Sequence, residues 1–379
     1  MKRNYLVNIG LLSALLSVNF LLVMPVLAKS TALEKDDFVD RIIHAYGGEK
    51  LSTLKSLKVD DRYKVFSMDQ GANPEINSVS ILYSTLAVDF SSGKKSVKNW
   101  RKNANGNRLS QILYDGETGW NINHLRGTHI ENKNLTANVV GAGMMRMIDT
   151  ILAWRLEKHR DTATLMTHGA IGGEPIYTLS FSAGENEQYF LDVDAASGLI
   201  LKMSKNSDRT TGPVYEFGKH KTVQGLTIAT DINMLVNGKS RFITTSRSIE
   251  VNQTDQKLLS IPEDSIRLKG FIDRSKMSVQ KLADKVYLAG KGANFSIFVD
   301  AGEFYIGGGG LSGIKKRLEA VNRFVGANKP IKIQVIPDHH RGHLSAIKEL
   351  KEMGSSIAIA SEHRQIIENL ASTKEQNND

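Results

Sequence analysis

Between Ser56 and Val251 the chain repeats one unit: a short run in which every second residue is apolar or β-branched, then a turn signal. The clearest runs are Ser56–Val65, Ser78–Phe90, Lys94–Lys102, Arg108–Tyr114, Glu187–Val193, Leu199–Lys205, Val214–Lys221, Leu226–Leu235 and Ser240–Val251. The turns carry Gly, Asn or Asp, as in Asp69-Gln70-Gly71, Ser92-Gly93, Asn105-Gly106-Asn107, Asp115-Gly116-Glu117, Gln224-Gly225 and Asn237-Gly238. A period of two with tight turns commits a chain to antiparallel pairing, so this stretch is expected to be a sequential meander. Two segments break the rhythm. Phe38, Ile42, Ile43 and Tyr46 fall at helical spacing after Asp36-Asp37 and before Gly47-Gly48. Val139 to Glu157 is apolar and Met-rich at helical spacing, with Met144, Met145, Met147, Ile148, Ile151, Leu152, Trp154 and Leu156. A helix amid a meander fills the concave face of a curved sheet, and its methionines suit a core or an adaptable apolar lining.

Past a charged, irregular linker from Asp264 to Lys276 the rhythm changes. Strand patterns (Val286–Ala289, Asn294–Asp300, Phe304–Ile306, Ile331–Ile336, Ile357–Ala360) now alternate with helical ones (Leu311–Val325, Leu344–Met353, Gln365–Leu370), which points to an α/β layer. The Ile331 strand runs through Pro337 into Asp338-His339-His340-Arg341-Gly342-His343. Ligands of open α/β sheets bind beyond the carboxyl ends of strands, so this corner is the first place to look for chemistry. Asp338, His340 and His343 offer three donors on one loop, which suits a weak single zinc site, although donors so close in sequence rarely meet tetrahedral geometry; the alternative is a relic loop of solvated histidines held by the fold and not by metal. Elsewhere no nucleophile elbow is present, and Gly307–Gly310 lacks the Lys-Ser/Thr of a phosphate loop. His44, His124, His129, His159, His168 and His220 stand alone and read as surface or packed histidines; Asp192 and Asp194 read as turn formers.

Composition narrows the field. Hydrophobic residues make up 41% of the 379 residues and charged ones 23%, enough for real cores. The net charge of +9 comes from scattered Lys and Arg with no aromatic-interleaved stripe, so nucleic acid is not expected as a partner. With no cysteine, disulfides, thiolate sites and a lipobox anchor are excluded. Residues 1–28 read as a secretory signal: Lys2-Arg3, an apolar stretch from Leu6 to Val23, then Val26-Leu27-Ala28 with small residues placed for a cut after Ala28. The mature protein is expected to be soluble, periplasmic or secreted.

Two family resemblances add to this. Ala45-Tyr-Gly-Gly48, Leu51, Leu54-Lys-Ser-Leu57 and Tyr189-Phe-Leu-Asp-Val-Asp-Ala-Ala-Ser-Gly198-Leu resemble the outer-membrane lipoprotein-sorting (LolA/LolB-like) superfamily. That resemblance implies an unclosed antiparallel barrel capped by helices, with a cavity for an acyl chain or apolar ligand. Lys285–Gly290, Asn294–Val299 and Lys329–Val335 resemble the opening strands of a metallo-β-lactamase-fold domain, whose metal loop reads His-x-His-x-Asp-His. Here His340 and His343 match ligands, Asp338 stands at the first histidine, and Gly342 replaces the Asp of the second metal. Ser345-Ala346 stands where that family has Gly-Gly, and the family's second half, with its further ligands, is not found before Asp379. The expected fold class is α+β: a curved antiparallel sheet with packing helices over 33–270, a half-length α/β metallo-β-lactamase-like domain over 277–371, and a polar tail at 372–379. The expected function is an exported, hydrolase-like protein with little or no activity. The alternative is a periplasmic lipid- or lipoprotein-binding protein whose C-terminal half is structural. A half-length domain also exposes a sheet edge and an apolar face, which the first domain or another copy of the chain would cover.

Overall fold

Backbone pairing sorts the strands into two separate sheets. The structure is a computed structural model that describes residues 34–372, apart from 68–69, 72–76, 104–105, 172, 185–186, 208–211, 254, 273–275, 293 and 310. The expected signal segment with its cut after Ala28, and the polar tail from residue 373, lie outside the described residues. Among the described residues no helix is long and apolar enough to cross a membrane.

The first sheet holds fourteen strands: β1 (Ser56–Ser67), β2 (Ser78–Asp89), β3 (Lys95–Asn103), β4 (Gly106–Tyr114), β5 (Gly119–Asn123), β6 (Thr128–Asn132), β7 (Thr164–Ile171), β8 (Glu174–Ser182), β9 (Gln188–Asp194), β10 (Ile200–Ser204), β11 (Pro213–Val223), β12 (Leu226–Val236), β13 (Lys239–Val251) and β14 (Ile266–Ile272). Their order is β14-β6-β5-β4-β3-β2-β1-β13-β12-β11-β10-β9-β8-β7, a curved sheet with two free edges. It is two meanders, β1–β6 and β7–β13, joined where β1 pairs with β13, rather than one sequential run. The expected linker from Asp264 to Lys276 contains β14, which pairs in parallel with β6. It carries a short alternation, Ile266-Arg267-Leu268-Lys269, with Ile266, Leu268 and Phe271 exposed, and the charges around it read as linker.

Helix α1 (Lys35–Ala45) buries Phe38, Val39 and Ile42; α2 is a single turn, Glu49–Ser52. The Ala45–Gly48 and Ala196–Gly198 stretches form the joint that seats α1 on the sheet. The Tyr46 hydroxyl donates to Asp149 Oδ2 at 2.8 Å and accepts the Ile200 N–H at 3.1 Å. Gly47 (φ 120°) leaves 2.7 Å between an added Cβ and the Gly225 carbonyl, and Gly198 (φ 74°) leaves 2.8 Å to the Arg41 carbonyl. Only glycine fits a positive φ against a neighbouring backbone.

The expected helix over 139–157 is two, α3 (Ala142–Met145) and α4 (Asp149–Lys158). The break has a cause: Arg247 Nη1 takes the Met147 carbonyl at 2.8 Å, an oxygen that a continuous helix would use for its own ladder. Met145, Met147, Ile148, Ile151 and Leu152 are buried, so these side chains are core. Beneath them lies a charged network. Arg247 reaches Asp61 through Nε (2.7 Å) and Nη2 (2.9 Å), and the Tyr63 hydroxyl donates to the same carboxylate. Asp149, fully buried, accepts the Ala229 N–H at 3.0 Å.

The second sheet has six strands in sequence order: β15 (Ser278–Ala283), β16 (Val286–Lys291), β17 (Asn294–Asp300), β18 (Tyr305–Gly308), β19 (Ile331–Val335) and β20 (Ser356–Ala358). β15 to β18 are antiparallel; β18, β19 and β20 are parallel. The parallel steps need crossovers, supplied by α5 (Ile314–Val325) and then α6 (Arg341–Leu344) with α7 (Ile347–Glu352); α8 (Arg364–Ser372) follows β20. One face of the sheet buries Tyr287, Phe298, Tyr305 and Ile331 against Ile314, Leu318, Val321 and Leu350. The described residues from Ser278 onward form this one sheet with its helices, and the arrangement does not by itself establish the expected metallo-β-lactamase-like domain.

Candidate functional site

The histidine corner sits where β19 ends. Ile336, buried, donates its N–H to Ala358 of β20 at 2.9 Å, which fixes the height at which the chain leaves the sheet. Pro337 ends the pairing, and Asp338 then turns the backbone into α6 by accepting the His340 N–H at 2.9 Å. Behind the loop, Glu349 of α7 accepts the Gly313 (2.7 Å) and Lys315 (3.1 Å) N–H groups at the start of α5. Ser345 Oγ accepts the Ser312 N–H at 2.9 Å, and Ala346 is fully buried. Of the two positions where the resembled family has glycines, Ser345 therefore ties the loop to Ser312 and Ala346 packs in the core.

The structure brings Asp338, His340 and His343 together. One ligand atom from each lies within 4.8 Å of the others. His343 Nδ1 is 2.7 Å from Asp338 Oδ1, and His340 Nδ1 is 3.5 Å from Asp338 Oδ2. Burial pushes the Asp338 carboxyl up, but the His340 N–H and the His343 ring outweigh it and hold it below the usual carboxylate range. Two imidazoles and a carboxylate form the donor set that zinc takes at a three-ligand site with an open fourth position. At Gly342 an added Cβ would meet nothing within 4 Å, so the space beside this position is open. His339 turns the other way, 3% exposed, with its ring 5.0 Å from His340 and 4.7 Å from His363. The inward turn of His339 was not legible in the sequence: adjacent loop histidines carry no pattern saying which one points in.

A second concavity lies on the first sheet. Cross-strand register puts Leu86, Val97, Ile112, Asn121 and Ile130 on one face of β2 to β6. The α3 end covers Leu86 and Val97, since a Cβ added at Gly141 would touch both. Farther along, the same face is open: Ser110, Ile112, Asn121, Asn123, Thr128 and Ile130 are half-buried and line a groove of about 700 Å³, with Leu268 of β14 beside them and Arg108 and Arg126 at its rim. The opposite face of the same strands is closed by Leu113, Trp120 and Ile122 against Ile261. Gln111 Nε2 donates to the Leu258 carbonyl at 2.8 Å, and His129 Nδ1 pairs with Ser265 Oγ at 2.7 Å. Burial lowers the pKa of both His124 and His129 there, helped by Lys98 and Arg267 respectively.

Comparison with known proteins gives a fold-level likeness. No protein-family model matches the chain, and no curated protein does. Among solved structures it is similar to an outer membrane lipoprotein-sorting protein domain from Vibrio parahaemolyticus, with a TM-score of 0.40, 8% identity, and coverage of 59% of this chain and 97% of that one. It is also similar to a DUF1329 family protein from Desulfovibrio piger (TM-score 0.32, 9% identity, 59% and 96% covered) and to an uncharacterized conserved protein from Thermus thermophilus (0.27, 8%, 62% and 97%). At these scores the likeness carries no argument; the functional reading rests on this chain's own residues.

The remaining histidines are spread over the first sheet. His220 is not isolated as its sequence surroundings imply: its Nε2 lies 3.0 Å from the buried Asp149 Oδ2, out of line for a hydrogen bond. The side chain of His168 lies outside the described residues. Asp194 is the turn former expected, accepting the Ser197 N–H at 2.6 Å; Asp192 instead is buried in β9 and accepts from Thr178 at 2.8 Å.

Proposed function

We propose that the protein is an exported carrier whose curved sheet holds an amphiphile, an apolar chain with an acidic end. The observation that supports this reading is the open stretch of the helix-lined face. A core face normally continues apolar until something covers it, yet here Ile112 and Ile130 are left half-buried in a groove with arginines at its mouth. An alkyl chain laid on the two isoleucines removes apolar surface from water, worth about 0.8 kcal/mol per buried methylene. Arg108 and Arg126 are placed to meet a carboxylate or phosphate with charge-assisted hydrogen bonds. The test is titration of the full chain with an environment-sensitive fluorescent fatty acid. Saturable binding is expected, weakened about tenfold or more by Ile112→Asp, which replaces one of the two isoleucines of the groove with a carboxylate. No saturable signal in the unaltered chain would sink the reading.

A second reading applies to the other sheet, favoured by the three convergent donors. The Asp338, His340 and His343 corner would hold one zinc ion, and a bound zinc supplies a Lewis acid and a more acidic water. Asp338 and the two imidazoles would bind and orient it; Gly342 leaves no donor for a second ion. Zinc titration followed by calorimetry is expected to show about one ion per chain, with His340→Ala lowering affinity by roughly tenfold or more. An unchanged heat in His340→Ala would remove the site.

A further inference from the structure

The second sheet has two apolar faces, and only one is covered. The helices pack on the face that carries Tyr287, Phe298 and Tyr305. Register places Val286 and Leu288 of β16, Ile297 and Val299 of β17, Ile306 of β18, and Ile333 and Val335 of β19 on the other face. Ile297 lies directly over Gly308, where an added Cβ would meet its Cγ2 at 2.5 Å. Ile297 and Val299 are 37% exposed and Val335 is 44% exposed. The other positions brought onto this face by the pairing, among them Gln280, Ser356 and Ala358, carry no charge. A sheet that is solvated on one side alternates apolar with polar or charged residues; one that reads apolar on both sides is a buried sheet.

We infer that this open face is a self-association surface, and that its occupant is the same face of a second copy, stacked sheet on sheet about 10 Å apart. Three observations favour that occupant. The positions that pairing places on this face are apolar or neutral across six strands, so its complement is another apolar sheet, and a second copy carries one. The residues after α8 in this sequence, Thr373 to Asp379, are all polar or charged and suit no part of it. Edge-to-edge pairing is disfavoured, because β20 has three residues and β15 is interrupted between Lys281 and Ala283, next to the Lys281–Asp284 ion pair. Seven half-exposed side chains at about 50 Å² each give roughly 350 Å² per copy, under half of what a standard interface takes from each partner. Association should therefore be weak and concentration-dependent, with a midpoint on the order of 10–100 µM.

Sedimentation velocity of the full chain over about 5–200 µM tests this, beside the chain from Lys29 and the Ile297→Lys/Val335→Lys variant. The sedimentation coefficient is expected to rise with concentration in the full chain and in the chain from Lys29, and to stay monomeric in the variant. Both substituted side chains are already exposed, so the variant's thermal midpoint should hold. If the variant does not fold, hydrogen exchange of β17 and β19 in the unaltered chain replaces it, with protection expected to grow with concentration. A monomer throughout the range overturns the inference, as does association that the variant retains. Association lost on removing residues 1–28 overturns it too, since the leader would then be the occupant.

Discussion

The buried charges under α3 and α4 are the residues on which the first sheet most depends. Burial works against the Arg247 charge, but the Asp61 carboxylate beside it raises its pKa, so the guanidinium stays charged. Arg247→Ala would leave Asp61 uncompensated in the core and is expected to cost about 3–5 kcal/mol, read from urea unfolding. Arg247→Met with Asp61→Leu removes both charges and should recover much of that loss. A second prediction concerns pH. Asp300 accepts both oxygens' worth of contact from Lys329 Nζ at 2.8 Å, and with the Gly302 N–H this lowers its pKa. A depressed carboxyl contributes stability that is present above its unfolded value of about 4 and is lost as pH falls through the folded value. Asp300→Asn should therefore flatten the loss of stability on acidification below about pH 4, and a urea midpoint that falls as steeply in the variant would contradict it. At the corner, Gly342→Asp has room to add a fourth donor and is expected to raise zinc affinity about tenfold or more in calorimetry.

Elements were legible wherever period and turn chemistry agreed. β1 to β4 and β9 to β13 fall within a few residues of the expected runs, because Asn-Gly, Ser-Gly and Gln-Gly turns punctuate them. β5 to β8 were missed: Gly119–Asn123 and Thr128–Asn132 are five residues each, and Glu174–Ser182 buries Ile176, Leu179, Ser180 and Phe181 without clean alternation. β14 has a four-residue alternation, Ile266 to Lys269, but it lies between Asp264 and Asp273-Arg274, and that charge makes the stretch read as linker. The helix over 139–157 was visible as a period, but its break depends on Arg247, about a hundred residues away, and long-range hydrogen bonds leave no trace in a local window. The glycine motifs showed where chain direction changes and hid that they clasp α1. Gly198→Ala places a methyl against the Arg41 carbonyl at a positive φ and is expected to cost about 1–3 kcal/mol in thermal unfolding.

At the scale of the molecule, each of the two sheets carries one candidate site. The cluster of Asp338, His340 and His343 was visible in the sequence because its three donors lie within six residues of one another. The groove was not visible: Ile112, Asn121 and Ile130 belong to three strands, and nothing in any one of them says that α3 stops short of their face. Fourteen strands in an open order give a concave surface larger than two short helices can cover, and the uncovered end is where the proposed ligand would lie. The most direct measurement is mass spectrometry of the full chain under non-denaturing conditions after mild purification, with Ile112→Asp alongside. An acyl-chain adduct on the unaltered chain, lost in the variant while the fold is kept, is the expected result. A bare chain in both, after incubation with excess fatty acid and phospholipid, would contradict it.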